Sequence, residues 1–115
     1  MTSRVLIVDD SRPMREFLRM TLADVAVVVG ECEDGADALE AYIRLQPDWV
    51  LMDVDMKDMD GIAATRQIIA AYPKAQVAMV TDYNDVELRR ASLEAGAKRY
   101  VLKEDLLSIL EILTG

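Results

Sequence analysis

The chain has 115 residues, and its 13 Lys and Arg against 21 Asp and Glu give a formal net charge of −8. A domain of that length with 52% hydrophobic residues can bury a core of its own, which excludes disorder, and the acidity excludes a grip on nucleic acid or an anionic membrane through this segment. A single cysteine, Cys32, and the lack of histidine exclude an internal disulfide, a Cys/His zinc site and a His-based triad, so chemistry falls to carboxylates, Lys, Thr, Tyr or backbone.

No stretch reaches the ~18 apolar residues of a membrane span, and the N-terminus has no signal-peptide pattern. A soluble, cytoplasmic protein is therefore expected, with residues 1–115 forming one domain.

Apolar, β-rich runs fall at Val5 to Val8, Val25 to Val29, Trp49 to Met52, Val77 to Val80 and Tyr100 to Leu102, with helical patterns between them. Ser11 and Pro13 open the first helix, with Met14, Phe17, Leu18 and Leu22 on its apolar face and Arg12, Arg15, Glu16 and Arg19 on a solvated one. Asp34-Gly35 turns the chain into a second helix with Ala38, Leu39, Tyr42 and Ile43 inward, closed by Pro47. A third helix follows Gly61, with Ile62, Thr65, Ile68, Ile69 and Tyr72 as its stripe and Pro73 beyond it. Asn84 or Asp85 caps the fourth, along which Val86, Arg90, Leu93 and Ala95 lie before Gly96; Leu106, Leu107, Ile109, Leu110 and Leu113 make the last. Runs that are apolar without alternation, in strict alternation with helices, indicate a parallel sheet buried on both faces and an α/β fold. The seven Met are read as core filling, Trp49 as a sheet-edge anchor and Cys32 as a small strand-end hydrophobe.

Ligands of open parallel sheets bind beyond the carboxyl ends of the strands. The residues at those ends are Asp9 and Asp10, Asp53, Thr81 and Lys103. Each alone reads as a turn acid, a strand-end Thr or a solvated Lys. Together they would bring three carboxylates close enough to repel, which calls for a compensating cation. Lys103 offers one charge, and a site with only oxygen ligands favours Mg²⁺. Metal, carboxylate, Thr and Lys suit phosphoryl transfer, with Asp53 as the nucleophile and the adjacent Asp9-Asp10 pair for the metal.

VLIVDD at Val5 to Asp10, LMDVDMKDMDG at Leu51 to Gly61, Thr81, and EAGAKRYVLK at Glu94 to Lys103 occur in an order that resembles the receiver domain of bacterial two-component response regulators. The resemblance covers essentially the whole chain. It implies a flavodoxin-like (βα)5 three-layer sandwich with a five-stranded parallel sheet in the order 2-1-3-4-5. It also implies that Asp53 is the phosphoacceptor, charged by a sensor histidine kinase or a small acyl phosphate. Asp10 and Asp53 would ligate Mg²⁺ directly, Asp9 largely through water and Asp55 by its backbone carbonyl, while Thr81 and Lys103 hold the phosphoryl oxygens. Tyr100 matches the switch aromatic, and the output surface would be the fourth helix, fifth strand and fifth helix, also the face of a possible homodimer. Asp55 and Tyr83 occupy positions that tune dephosphorylation, and the first helix often meets the kinase.

Three departures qualify this. Lys57 replaces the usual Pro, Glu104 follows Lys103 where many receivers have Pro, and Asp55 and Tyr83 put an acid and a bulky aromatic at the tuning positions. Glu104 and the phrase YVLKED resemble the NarL/FixJ-type subfamily, whose members continue into a DNA-binding domain. The expectation is thus a receiver fragment of a transcriptional regulator, with DNA contacted only through a domain not in this chain, and a single-domain regulator is the alternative. Two readings compete: a haloacid-dehalogenase-like phosphatase using Asp53 and Asp55 as its D-x-D pair, and a receiver-like scaffold that is never phosphorylated.

Overall fold

The computed structural model describes residues 2–114, without the side chain of Leu106. Five strands, β1 (Ser3–Val8), β2 (Ala26–Cys32), β3 (Trp49–Met52), β4 (Val77–Thr81) and β5 (Arg99–Leu102), form one parallel sheet in the order β2-β1-β3-β4-β5. They alternate with helices α1 (Arg12–Leu22), α2 (Ala38–Leu45), α3 (Gly61–Ala71), α4 (Val86–Glu94) and α5 (Leu106–Thr114), and a 3-10 turn, Gly35–Asp37, leads into α2. The fold class read from the sequence is the one observed.

Side chains along each strand alternate between two buried cores. Val5 and Ile7, Leu51, and Ala78 and Val80 point to the face covered by Leu18 and Leu22 of α1 and Ile109 and Leu113 of α5. Leu6 and Val8, Val50 and Met52, and Val77 and Met79 point to the other face, under α2, α3 and α4. The central strands are therefore apolar through their middles, and their polar residues stand at the ends, Ser3 and Arg4 at the start of β1 and Thr81 at the close of β4.

Helix boundaries follow local chemistry. The Ser11 side chain accepts from the Met14 amide, Asp60 from Ala63 and Asp85 from Leu88, so Asp85 rather than Asn84 caps α4. Gln46, at φ 46°, takes the left-handed turn that ends α2 before Pro47.

Several inward assignments are corrected. Phe17 and Ile43, assigned inward, are exposed, while Arg15, assigned to the solvated face, is buried; Val86, Leu93 and Leu107 also face outward. In α1 the inward stripe is Arg15, Leu18 and Leu22 at i, i+3 and i+7, so Arg15 belongs to the buried face and not to the solvated one. In α4 the stripe is shifted to Leu88, Ala91, Ser92 and Ala95, because the buried Ser92 hydroxyl is satisfied by the Leu88 carbonyl at 2.7 Å and can face the sheet. Trp49 begins the central strand and packs with the α1/α5 core, so it is no edge-strand residue.

The β2 run read from the sequence stops at Val29, but the strand continues to Cys32 through a bulge: Val5 pairs with Val28, and Leu6 with Gly30. One extra residue exchanges the two faces of a strand. Ala26 therefore lies on the α1/α5 side, Cys32 on the α2 side, and Glu31 comes round toward α1.

Gly61 sits at the start of α3, where a Cβ would stand 1.9 Å from the Asp53 carbonyl oxygen. Relief requires backbone movement at the end of β3. Gly61→Ala is expected to cost about 1–3 kcal/mol by overpacking, read as a lower urea midpoint with an unchanged m-value.

Candidate functional site

Adjacency in the sheet brings four strand ends to one edge. The Asp53 amide donates to the Val8 carbonyl at 2.8 Å and the Lys103 amide to the Thr81 carbonyl at 2.8 Å, fixing the backbone on which the site residues stand. Carboxylate oxygens of Asp9, Asp10 and Asp53 all lie within 4.8 Å of one another. Asp9 and Asp53 are buried and Asp10 is exposed. Lys103 reaches between the buried pair, its Nζ 3.0 Å from Asp9 Oδ2 and 3.6 Å from Asp53 Oδ1. Asp9 Oδ1 also accepts from the Ser11 amide at 2.8 Å.

Burial first, and then the neighbouring Asp9 charge, pushes the Asp53 carboxyl up to about 6; Lys103 only partly offsets them. For Lys103, burial disfavours the charge, but the Asp9 hydrogen bond and the Asp53 charge outweigh it and the ammonium is held more firmly than usual. The site thus carries more negative charge than one ammonium neutralises. Its donors are hard carboxylate oxygens with an open side at Asp10, and they fit a divalent cation of the Mg²⁺ type. A cleft of about 350 Å³, lined by Asp10, Ser11, Met14, Asp53, Asp55, Asp82, Tyr83 and Lys103, gives access to this edge.

Thr81 lies fully buried behind the cleft, its hydroxyl oxygen accepting from the Tyr83 amide at 3.1 Å. Tyr100 is inward, and its hydroxyl donates to the Tyr83 carbonyl at 2.7 Å. The Arg89 guanidinium stands 5.8 Å from the Tyr100 ring centroid, within cation–π range. Tyr83, exposed, lines the cleft beside Asp55, and its hydroxyl donates to Asp55 Oδ2 at 3.2 Å. The Asp55 charge raises the Tyr83 phenol, which keeps that donor proton in place.

Asp9, Asp10, Asp53, Asp55, Tyr83 and Lys103 thus meet around one cleft, with Thr81 behind it and Tyr100 linked to it through the Tyr83 carbonyl. Two supporting side chains were missed. Arg15 donates to the Asp9 carbonyl at 2.7 Å, and its phase with Leu18 and Leu22 was the readable signal. Asp34 accepts from Ala36, Asp58 and Met59, pinning the loop after Asp53; those amides hold its carboxyl below the usual range. Its clamped loop lies 24 residues away, so no local pattern announced it. Lys57 is exposed in that loop, and no cis peptide bond occurs among the described residues.

Residues 5–113 match the response regulator receiver domain family. The chain is 40% identical over 103 residues to the uncharacterized transcriptional regulatory protein YhcZ of Bacillus subtilis, covering 88% of this chain and 48% of that one. It is 38% identical over 103 residues to the chemotaxis protein CheY of Halobacterium salinarum, covering 90% and 86%. A two-component response regulator of the LuxR family from Aurantimonas superposes with a TM-score of 0.88 at 29% identity, over 99% of this chain and 89% of that one. The chain therefore spans about half of one curated relative and most of another. Among the described residues, no helix is long and apolar enough to cross a membrane.

A carboxyl at about 6 in the folded protein, against an ordinary 3.8, binds its proton more tightly folded than unfolded. The folded state then loses stability as pH rises through that window, and the full penalty stands above it. Asp53→Asn removes the charge. Without divalent cations it is expected to raise stability at pH 8 by on the order of 2 kcal/mol, with the gain shrinking toward pH 4. Urea midpoints at the two pH values check both the size and the sign.

Proposed function

The chain belongs to the response regulator receiver domain family of two-component systems, whose members are switched by phosphorylation of an aspartate, and we propose that Asp53 is the acceptor here. The observation that carries this reading is the buried Asp53 carboxylate at the cleft floor, flanked by the Asp9-Asp10 pair and by the Lys103 ammonium. An Asp53 carboxylate oxygen attacks the phosphorus of a kinase phosphohistidine or a small acyl phosphate. The P–O bond to Asp53 forms as the bond to the leaving imidazole or carboxylate breaks.

Mg²⁺ would be held by Asp10 and Asp53 directly, by Asp9 largely through water and by the Asp55 backbone carbonyl, and when bound it neutralises charge on the transferring group. Lys103 is close enough to exchange its contact with Asp53 for a phosphoryl oxygen. Thr81 can supply a hydroxyl to a second oxygen, which draws it away from the Tyr83 amide. Tyr83 is bonded to Tyr100, so that shift is felt at the face formed by α4, β5 and α5, the proposed output and homodimer surface. Tyr83 and Asp55 close the mouth of the cleft and thereby set water access to the phosphoryl group.

Receiver domains work with histidine kinases, and a kinase phosphohistidine is the proposed donor to Asp53. Likeness to YhcZ and to a LuxR-family regulator supports a NarL/FixJ-type transcriptional regulator in which DNA is contacted through a further domain. Likeness to CheY over most of its length supports a single-domain messenger. Glu104 after Lys103 favours the first.

Intact mass after incubation with acetyl phosphate and Mg²⁺ is expected to show one phosphoryl adduct in the wild type, and none without Mg²⁺ or in Asp53→Ala. An adduct retained in Asp53→Ala moves the acceptor elsewhere. If folded, Mg²⁺-binding wild type gives no adduct and no beryllofluoride complex, the phosphorylation reading falls.

A further inference from the structure

The side chain of Arg15 is only 9% exposed, an unusual place for a guanidinium. All three of its nitrogens are engaged. Nη1 donates to the Asp9 carbonyl at 2.7 Å, Nε to Glu31 Oε1 at 3.2 Å, and Nη2 stands 3.6 Å from Glu33 Oε1. Arg19 holds the other oxygen of Glu31, and that hydrogen bond first, then the Arg19 charge and Arg15, keeps the carboxyl below its usual range against the cost of burial.

Stability alone is a poor reason for such an arrangement, since a buried ion pair is often no better than apolar side chains of the same volume. What the guanidinium adds is a direction. The Asp9 amide is committed to the Cys32 carbonyl, the Asp9 carboxylate to Ser11 and Lys103, and the Asp9 carbonyl to Arg15. Asp9 is therefore held at its amide, its carboxylate and its carbonyl, and the carbonyl held by Arg15 sets the plane of the Asp9–Asp10 peptide from which the Asp10 carboxylate projects. Asp10 is the exposed member of the acidic trio and the one with the fewest restraints of its own among the described contacts. The β2 bulge is part of the device: it turns Glu31 toward α1, where the carboxylate can hold Arg15.

We propose that Arg15, anchored by Glu31, is a positioning residue for the divalent-cation site: it orients the Asp9–Asp10 peptide so that Asp10 completes the set with Asp53. The inference rests on the reading of Asp10 and Asp53 as the metal ligands. It makes Arg15 a support that never touches the ion, of the kind whose loss weakens metal binding while leaving the ligands present.

The test is Mg²⁺ affinity by calorimetry on the full chain, with the amide resonances of Asp10 and Ser11 followed in parallel and urea midpoints recorded for every variant. Arg15→Met is expected to bind Mg²⁺ about tenfold more weakly than wild type. Arg15→Lys should recover most of that loss, because an ammonium can still donate to the Asp9 carbonyl. Ile109→Val, on the same core face and remote from the site, should lower stability and leave affinity unchanged. If Arg15→Met does not fold, Glu31→Gln, which keeps the guanidinium but weakens its anchor, is expected to lose about threefold. Arg15→Met or Glu31→Gln binding Mg²⁺ as tightly as wild type overturns the proposal, and so does an equal loss in Ile109→Val. Wild type that binds no Mg²⁺ overturns the ligand assignment itself, and the two failures are told apart by that single arm.

Discussion

Mutual repulsion among Asp9, Asp10 and Asp53 is the constraint on which the rest of this molecule turns. Three carboxylates within 4.8 Å of one another, two of them buried, oppose folding unless cationic charge is brought to them. Lys103 brings one unit, which does not outweigh burial and the Asp9 charge, so the Asp53 carboxyl is pushed up to about 6. The protein tolerates this because the penalty is confined to one sheet edge, while the strands behind it are apolar on both faces. A site that is electrostatically unsatisfied by its own side chains is one whose energy changes when a divalent cation or a phosphoryl group arrives.

Holding repelling groups together requires rigid backbone, and the supports come from every side. Gly61 lets α3 start against the Asp53 carbonyl, Asp34 clamps the loop beyond Asp53, and Arg15 takes the Asp9 carbonyl. Each of these contacts joins segments from different elements, the Asp34 clamp across 24 residues. The acidic trio is thus a product of tertiary packing as much as of the strand ends that carry it.

That division also decides what was legible from sequence. Strand existence, the parallel α/β class and the strand-end residues Asp9, Asp10, Asp53, Thr81 and Lys103 follow from local runs and from where those runs stop. Helix phase was less legible: a buried Arg15 and a buried Ser92 each occupy positions that hydrophobicity assigns to neighbours, because hydrogen bonds satisfy them inside. The β2 bulge left no local signature, since the run of three Val residues hides which one is unpaired, and with it went the encounter of Glu31 with Arg15. Asp34 read as a turn former, which it is through Ala36, but its second role depends on a loop 24 residues on.

The same geometry explains why a change at Asp53 need not stay local. Thr81 is buried and its hydroxyl is spoken for by the Tyr83 amide; Tyr83 in turn receives the Tyr100 hydroxyl on its carbonyl and offers its own hydroxyl to Asp55. One residue therefore touches the hydroxyl behind the cleft, the acid at its mouth and the aromatic on β5. A group on Asp53 that competes for Thr81 or Asp55 must alter at least one bond to Tyr83. Tyr100, beneath Arg89 of α4, is the partner through which a change at Tyr83 would reach the α4 and β5 face. The proposed coupling requires no rigid-body motion of the sheet: it rests on one loop residue having three partners, each of which a group on Asp53 could reach directly or through Thr81.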